Sequence, residues 1–270
     1  MNFKKLLPAL SIAACSVMAL SSCSKKEEVL AKDQLSQETI SQIQKLGFST
    51  HDAKAVEGGV LVEGDIILSD SDLKGNLDYQ LMRVGDEEHY RTTNLVTANT
   101  TRTIYVAVSS SLPSAYVTAV DEVVRRFNAQ NLRLRFQRVS SGYNVLFTAA
   151  PSGSGYLASA GFPSGGNPYN RVQVNVGAIG TANASTYIAT ILAHELGHCI
   201  GFRHTDYANR AYSCGGAFTN EGASTVGAIY IPGTPSAYNG DSSSWMLACI
   251  GSGANRPFNT NDVTALNYVY

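Results

Sequence analysis

The residues with the clearest capacity for chemistry lie between positions 194 and 204, which read His194-Glu195-Leu196-Gly197-His198-Cys199-Ile200-Gly201-Phe202-Arg203-His204. On a helix, side chains four residues apart project from one face one turn apart, so His194 and His198 can hold one metal ion. Glu195, beside the first of them, can act as a base on a water at that ion. Gly201 can adopt the left-handed backbone that ends a helix, which a residue with a Cβ resists. The chain can then double back and deliver His204 as a third ligand. Three neutral imidazoles suit one Zn²⁺ and leave its fourth position for water, as catalysis requires. Five fixed positions, three of them histidine, should occur by chance in fewer than about one chain in 10⁵. The stretch holds three of the protein's five histidines. His51 and His89 fall in an acidic part of the chain and are expected to be solvated.

These side chains need elements to position them. Residues 185–200 read as a helix with Ser185 as its cap. Ahead of it, residues 103–108 alternate as a strand. Residues 112–128 have helical spacing at Val117, Val120, Val124 and Phe127, with Pro113 suited to the first turn. Leu132, Leu134 and Phe136 alternate as a second strand, residues 145–148 form a third, and 155–162 and 171–176 two more. Gly-rich, irregular chain runs from 214 to 256. Asn259 or Thr260 then caps a last helix through Tyr268. Strands alternating with helices, then loops, give an α+β domain.

Composition narrows the function. The chain has 270 residues, 44% hydrophobic and 15% charged, with a formal net charge of −1. That is too apolar for a disordered protein and too neutral for a nucleic-acid binder. The charge is unevenly placed. Residues 24–90 carry 14 acidic and 7 basic side chains, whereas residues 91–270 carry 7 acidic and 11 basic. Opposite signs suggest two modules able to dock. We set their limits at 23–98 and 99–270. In the acidic module, residues 36–46 read as a short helix with Ile40, Ile43 and Leu46 on one face. Residues 60–68 read as a strand interrupted at Glu63-Gly64-Asp65, and 82–93 as a polar linker.

Residues 1–22 read as an export signal. Lys4 and Lys5 precede an apolar run at 6–20, too short for a permanent membrane span. The run ends in Leu20-Ser21-Ser22-Cys23, which resembles a bacterial lipobox. Lipidation would make Cys23 a membrane anchor, and the charged tag at 24–28 resembles those that direct lipoproteins to the cell surface. The expected location is therefore exported and membrane-tethered, or secreted once the tether is cut. Export permits disulfides. Of Cys199, Cys214 and Cys249 only two can pair. Cys214 with Cys249 is favoured because both fall in Gly/Ser-rich loops, although connectivity stays open at this level.

The stretch from His194 to His204 resembles the HExxHxxGxxH zinc motif of the metzincin metallopeptidases. More narrowly, His194 to Asp206 with the lipobox resembles a bacterial, astacin-related family of secreted zinc peptidases. The resemblance covers roughly residues 100–270. It implies a metzincin-like zincin fold: a twisted, mostly parallel sheet with an antiparallel edge strand, packed on two long helices, and a loop-rich C-terminal subdomain ending in a helix. It implies one catalytic Zn²⁺, a peptide or protein substrate, and Glu195 as general base of a monomeric endopeptidase. It points to Met246, in Ser244-Trp245-Met246, as the methionine turn beneath the metal. It also points to residues 156–163 as an edge strand that pairs with extended substrate. One departure is Ala248, where astacins carry a tyrosine; Tyr207, Tyr212 or Tyr238 would have to substitute. Asp206 reads either as an acceptor for His204 or as a turn residue.

Glu63-Gly64-Asp65-Ile66 resembles the astacin pro-segment motif, whose aspartate occupies the open metal position. Asp65 would then hold the enzyme latent until the chain is cut within 83–98, although Gly-Asp is also a common turn pair. Two rival readings are a surface lipoprotein with a non-catalytic zinc, and a zinc hydrolase of another amide bond.

Overall fold

A computed structural model describes residues 35–46, 48–74, 89–223, 226–235 and 241–270. The signal segment, Cys23 and the tag at 24–28 lie outside the described residues. The acidic segment holds α1 (Gln37–Lys45), β1 (Lys54–Val56), β2 (Gly59–Val62), β3 (Ile66–Leu68) and α2 (Asp70–Leu73). Then come β4 (Tyr90–Arg91), β5 (Arg102–Val108), α3 (Ser114–Asn128), β6 (Leu134–Arg138), β7 (Val145–Ala149), β8 (Ala158–Ser159), β9 (Arg171–Val174) and α4 (Val176–Ile179). The chain continues through α5 (Ala189–Ile200), α6 (Ala211–Cys214), β10 (Ile229–Tyr230) and α7 (Thr260–Val269).

The main sheet has the order β6-β5-β7-β9-β8, and every pair is parallel except β8 with β9. Ile104, Val106, Val145, Phe147, Val172 and Val174 are fully buried in one core with α3 and α5. Alternate apolar residues on each strand supply that face. On α3 the buried stripe is Tyr116, Ala119, Val120, Val123 and Phe127. Val117 and Val124, expected there, are only half-buried. The stripe is turned because Tyr116 counts as core: its hydroxyl donates to Gly180 O at 2.7 Å.

All twelve residues of α5 are buried. A helix covered on every side belongs at the centre of a domain. Its first turn is wound more widely, as a π-turn at Ala184–Ile188, with Asn183 rather than Ser185 at the cap position. The wide turn leaves Ser185 O to accept from the buried Arg126 guanidinium at 3.0 Å, which also reaches Thr190. Later in the chain, Asn259 and Asp262 cap α7 reciprocally. The last residue is tied in through Tyr270, whose hydroxyl donates to Ile200 O at the end of α5.

In the acidic segment, residues 60–68 form a hairpin of β2 and β3, with pairs Val60↔Leu68 and Val62↔Ile66. Glu63 and Gly64 turn the chain at φ 53° and 89°. The hairpin is bonded to the chain beyond it: Ala160 N donates to Asp65 O at 2.8 Å and Ile67 N donates to Ala160 O at 2.7 Å. This explains why the expected strand at 155–162 shortens to β8. Beyond Ser159 the backbone leaves β9 and serves the hairpin instead.

The expected linker also departs from the reading. Tyr90 and Arg91 pair with β10, and His89, read as solvated, is 1% exposed. Its carbonyl accepts from Ile231 N, which carries the ring inside. His51 is exposed. Cys214 and Cys249, 35 residues apart, form a disulfide, and Cys199 is buried and free. Closing a loop of that size stabilises by about 3–4 kcal/mol in the chain-entropy picture. Among the described residues no helix is long and apolar enough to cross a membrane.

Candidate metal centre

α5 delivers His194 and His198 from one face. The helix stops at Gly201, whose φ is 109°. A Cβ there would also stand 2.7 Å from Leu95 Cδ2 and 2.9 Å from Thr92 Oγ1, so both conformation and space require glycine. Phe202 N closes back on Gly197 O at 2.9 Å, and the reversed chain brings in His204. His198 Nε2 then lies 3.1 Å from His194 Nε2 and 3.2 Å from His204 Nε2. Asp65 joins them, with Oδ2 at 3.1 Å from His204 Nε2 and 3.4 Å from His194 Nε2. All four side chains are buried.

The other ring nitrogens fix the tautomers. His194 Nδ1 is 2.9 Å from Trp245 O, His198 Nδ1 is 2.8 Å from Phe202 O, and His204 Nδ1 is 2.7 Å from Glu221 Oε1. Each of these partners is an acceptor, so each Nδ1 carries the ring hydrogen by this assignment. Three Nε2 lone pairs and a carboxylate oxygen therefore face one another. Four tetrahedral ligands at zinc distances would be about 3.3–3.4 Å apart. The observed separations fit that set, and Asp65, His194, His198 and His204 could hold one metal ion.

The electrostatics agree. Burial opposes a charge on His204, but the flanking Asp65 and Glu221 carboxylates outweigh it and raise its pKa well above the usual imidazole value. Burial also opposes ionisation of Asp65, yet the pull of His204 holds its carboxyl well below the usual range. Burial, with the neighbouring rings, holds His198 well below the usual imidazole value, so the positive charge collects at His204. Burial, reinforced by the Asp65 carboxylate, pushes Glu195 well above the usual carboxylate range. Glu195 Oε2 is buried and has no hydrogen-bond partner among the described residues.

Met246 is fully buried, and its turn supports the centre through backbone carbonyls. Trp245 O holds His194, and Met246 O accepts from Thr205 N at 3.0 Å. A Cβ on Gly197 would stand 2.5 Å from Trp245 Cη2 and 2.7 Å from Met246 Sδ. The glycine lets the turn lie directly under α5.

Glu221 was not anticipated. The only signal for it in the sequence is that it is the lone acidic residue between positions 207 and 240. Asp206 does not take the role: it accepts from Ser213 Oγ at 2.6 Å and from Ala248 N at 2.9 Å, bracing the loop. Glu63, Arg203 and Arg210 were also missed. Arg203 donates to Glu63 at 3.0 Å, and Arg210 joins Glu221 at 3.0 Å while also donating to Glu63 O. Beside the metal centre is a cavity of about 280 Å³ lined by His194, Glu195, Leu157, Ile191, Leu247 and Arg256, among others. Ala248 lines it too, but Tyr207 and Tyr212 do not, and Tyr238 lies outside the described residues.

The family profile of the dual-action HEIGH metallo-peptidases matches residues 60–270. This chain belongs to that family. The matched region begins at β2 and so includes the hairpin with Asp65. At residues 194–198 the chain reads HELGH, one apolar exchange from the letters of the family name. No curated protein matches the chain. It is similar to the solved structure of myroilysin at 16% identity and a TM-score of 0.46, covering 67% of this chain and 98% of that one. It is also similar to high choriolytic enzyme 1, a hatching-enzyme zinc-protease from Oryzias latipes, the medaka fish. There the identity is 18% and the TM-score 0.38, over 64% of this chain and 91% of that one. The chain is a metallopeptidase, and its buried imidazole cluster suits zinc.

Replacing Glu221 by Gln should remove the charged acceptor behind His204. Zinc affinity, measured by competition with a chelator, is expected to fall 10–100-fold. An unchanged affinity would mean that Glu221 serves only Arg203 and Arg210.

Proposed function

We propose that the protein is an endopeptidase in which His194, His198 and His204 hold Zn²⁺ and Glu195 is the general base. The observation that supports this best is the convergence of three Nε2 atoms, each with its Nδ1 already bonded to an acceptor, beside a cavity that Glu195 also lines. When bound, Zn²⁺ supplies a Lewis acid for the scissile carbonyl and lowers the pKa of water. Glu195 accepts a proton from the attacking water as oxygen bonds to the carbonyl carbon. It returns that proton to the nitrogen as the C–N bond breaks. Burial, with the Asp65 carboxylate beside it, raises its pKa above the usual carboxylate range, the direction that favours a group that holds a proton before returning it.

The full chain is latent in this reading. Asp65 takes the fourth ligand position, and the hairpin uses the backbone groups of Ala160 that an extended substrate would need. Glu63 and Arg203 fasten the hairpin, their side chains both nearly fully buried. We place the activating cut ahead of His89, because residues 89–92 are bonded to β10 and to Gly201. A four-donor set would also serve a non-catalytic zinc. Against that rival stand the adjoining cavity and the unpartnered Glu195 Oε2. The N-terminal signal and Cys23 support export on a lipid tether, from which cutting would free the catalytic part.

Hydrolysis of a quenched fluorescent peptide library tests both claims. Glu195→Gln should keep its zinc and lose turnover by at least about 10²–10⁴-fold; a zinc-loaded variant with full activity would contradict the role given to Glu195. Asp65→Ala should raise the rate of the uncut chain. An unchanged rate would remove the latency claim and leave the peptidase reading intact.

A further inference from the structure

A second cluster lies outside the imidazole centre. His89 is 1% exposed, and its Nε2 is buried with no hydrogen-bond partner among the described residues. That atom lies 3.9 Å from Asp241 Oδ2 and 3.8 Å from Asp262 Oδ1. These separations are too long for hydrogen bonds. They are shorter than twice a zinc–ligand distance of about 2.1 Å, so an ion can bridge the imidazole to either carboxylate. One ligand atom from each residue lies within 4.8 Å of the others.

The carboxylates are held as metal ligands are. Asp241 Oδ2 accepts from Asn259 Nδ2 at 2.8 Å and from Asn261 Nδ2 at 2.9 Å. Asp262 Oδ1 accepts from Ser244 Oγ at 2.8 Å, while Oδ2 takes Asn259 N at 2.9 Å and Trp245 N at 3.3 Å. Such bonds orient a carboxylate and leave further lone pairs for an ion. A buried carboxylate and a half-buried one face the buried imidazole, a donor set whose negative charge a divalent cation would offset. One nitrogen and carboxylate oxygens suit Zn²⁺ better than Ca²⁺, which takes oxygen ligands alone.

We propose that His89, Asp241 and Asp262 form a second, structural Zn²⁺ site. It clamps the chain just ahead of β4 to the start of the Met246 turn and to α7. The clamp bears on the catalytic centre, because Trp245 donates to Asp262 from its nitrogen and holds His194 with its carbonyl. It also anchors the new N-terminal end that a cut ahead of His89 would create.

Zinc content of the folded full chain tests this without reference to peptide turnover. After equilibration with Zn²⁺ and removal of excess, the wild-type chain should hold two equivalents by mass spectrometry. His89→Gln and Asp241→Asn should each hold one, and His198→Ala should retain the second-site ion. One equivalent in the wild-type chain overturns the proposal, as do two retained in either folded variant of the second site. The wild-type count stands even if a variant does not fold.

Discussion

Three imidazole lone pairs aimed at one point are the constraint on which the rest of this fold depends. A buried acceptor without a donor is costly, and here three nitrogens and a carboxylate oxygen share one small space. A proton on one ring relieves part of that cost; a divalent cation relieves all of it. The arrangement persists because each ring is held from behind, by Trp245, Phe202 and Glu221. Those partners come from three different parts of the chain. The wholly buried α5, the stop at Gly201 and the turn packed under Gly197 are what bring them together. Second contacts of this kind orient a ligand and raise its basicity, so the loops of the C-terminal part belong to the chemistry as much as α5 does.

The acidic hairpin makes use of the same constraint. Its carboxylate supplies a fourth donor where positive charge collects, and its backbone bonds to Ala160. Glu63 is the more demanding contact. Burial, with Glu221 nearby, pushes its carboxyl well above the usual range, although Arg203 opposes the shift. A buried ion pair of this sort adds little net stability while both partners stay, but it is costly to break one-sidedly. It therefore sets where the hairpin sits more than how tightly. Among the described residues, the opposite charges of the two halves of the sequence meet here, at Glu63, Arg203 and Arg210.

Much of this was legible in the sequence. The His194-to-His204 spacing is local geometry on one helix and one turn, so the ligands needed no tertiary knowledge. The succession of strands and α3 followed from apolar spacing, whereas the parallel sheet came only through the family resemblance. What escaped depends on contacts distant in sequence. Glu221 sits in a Gly-rich loop with no periodicity to read, and its partner is 17 residues away across a disulfide-closed loop. His89 looked solvated because it falls in the acidic part of the chain; its burial comes with the pairing of the next two residues to β10. The interrupted strand at 60–68 has the composition of one strand, and only the positive φ of Glu63 and Gly64 makes it a hairpin. Of the two readings of Asp206, the turn role holds, and the acceptor behind His204 is Glu221, farther along the chain.

X-ray absorption at the zinc edge of the Zn²⁺-loaded His89→Gln protein, uncut, tests the central claim most directly. The account predicts four light-atom ligands near 2.0–2.1 Å with the multiple-scattering signature of three imidazoles. A shell containing sulfur, or one with fewer than three histidines, would contradict it.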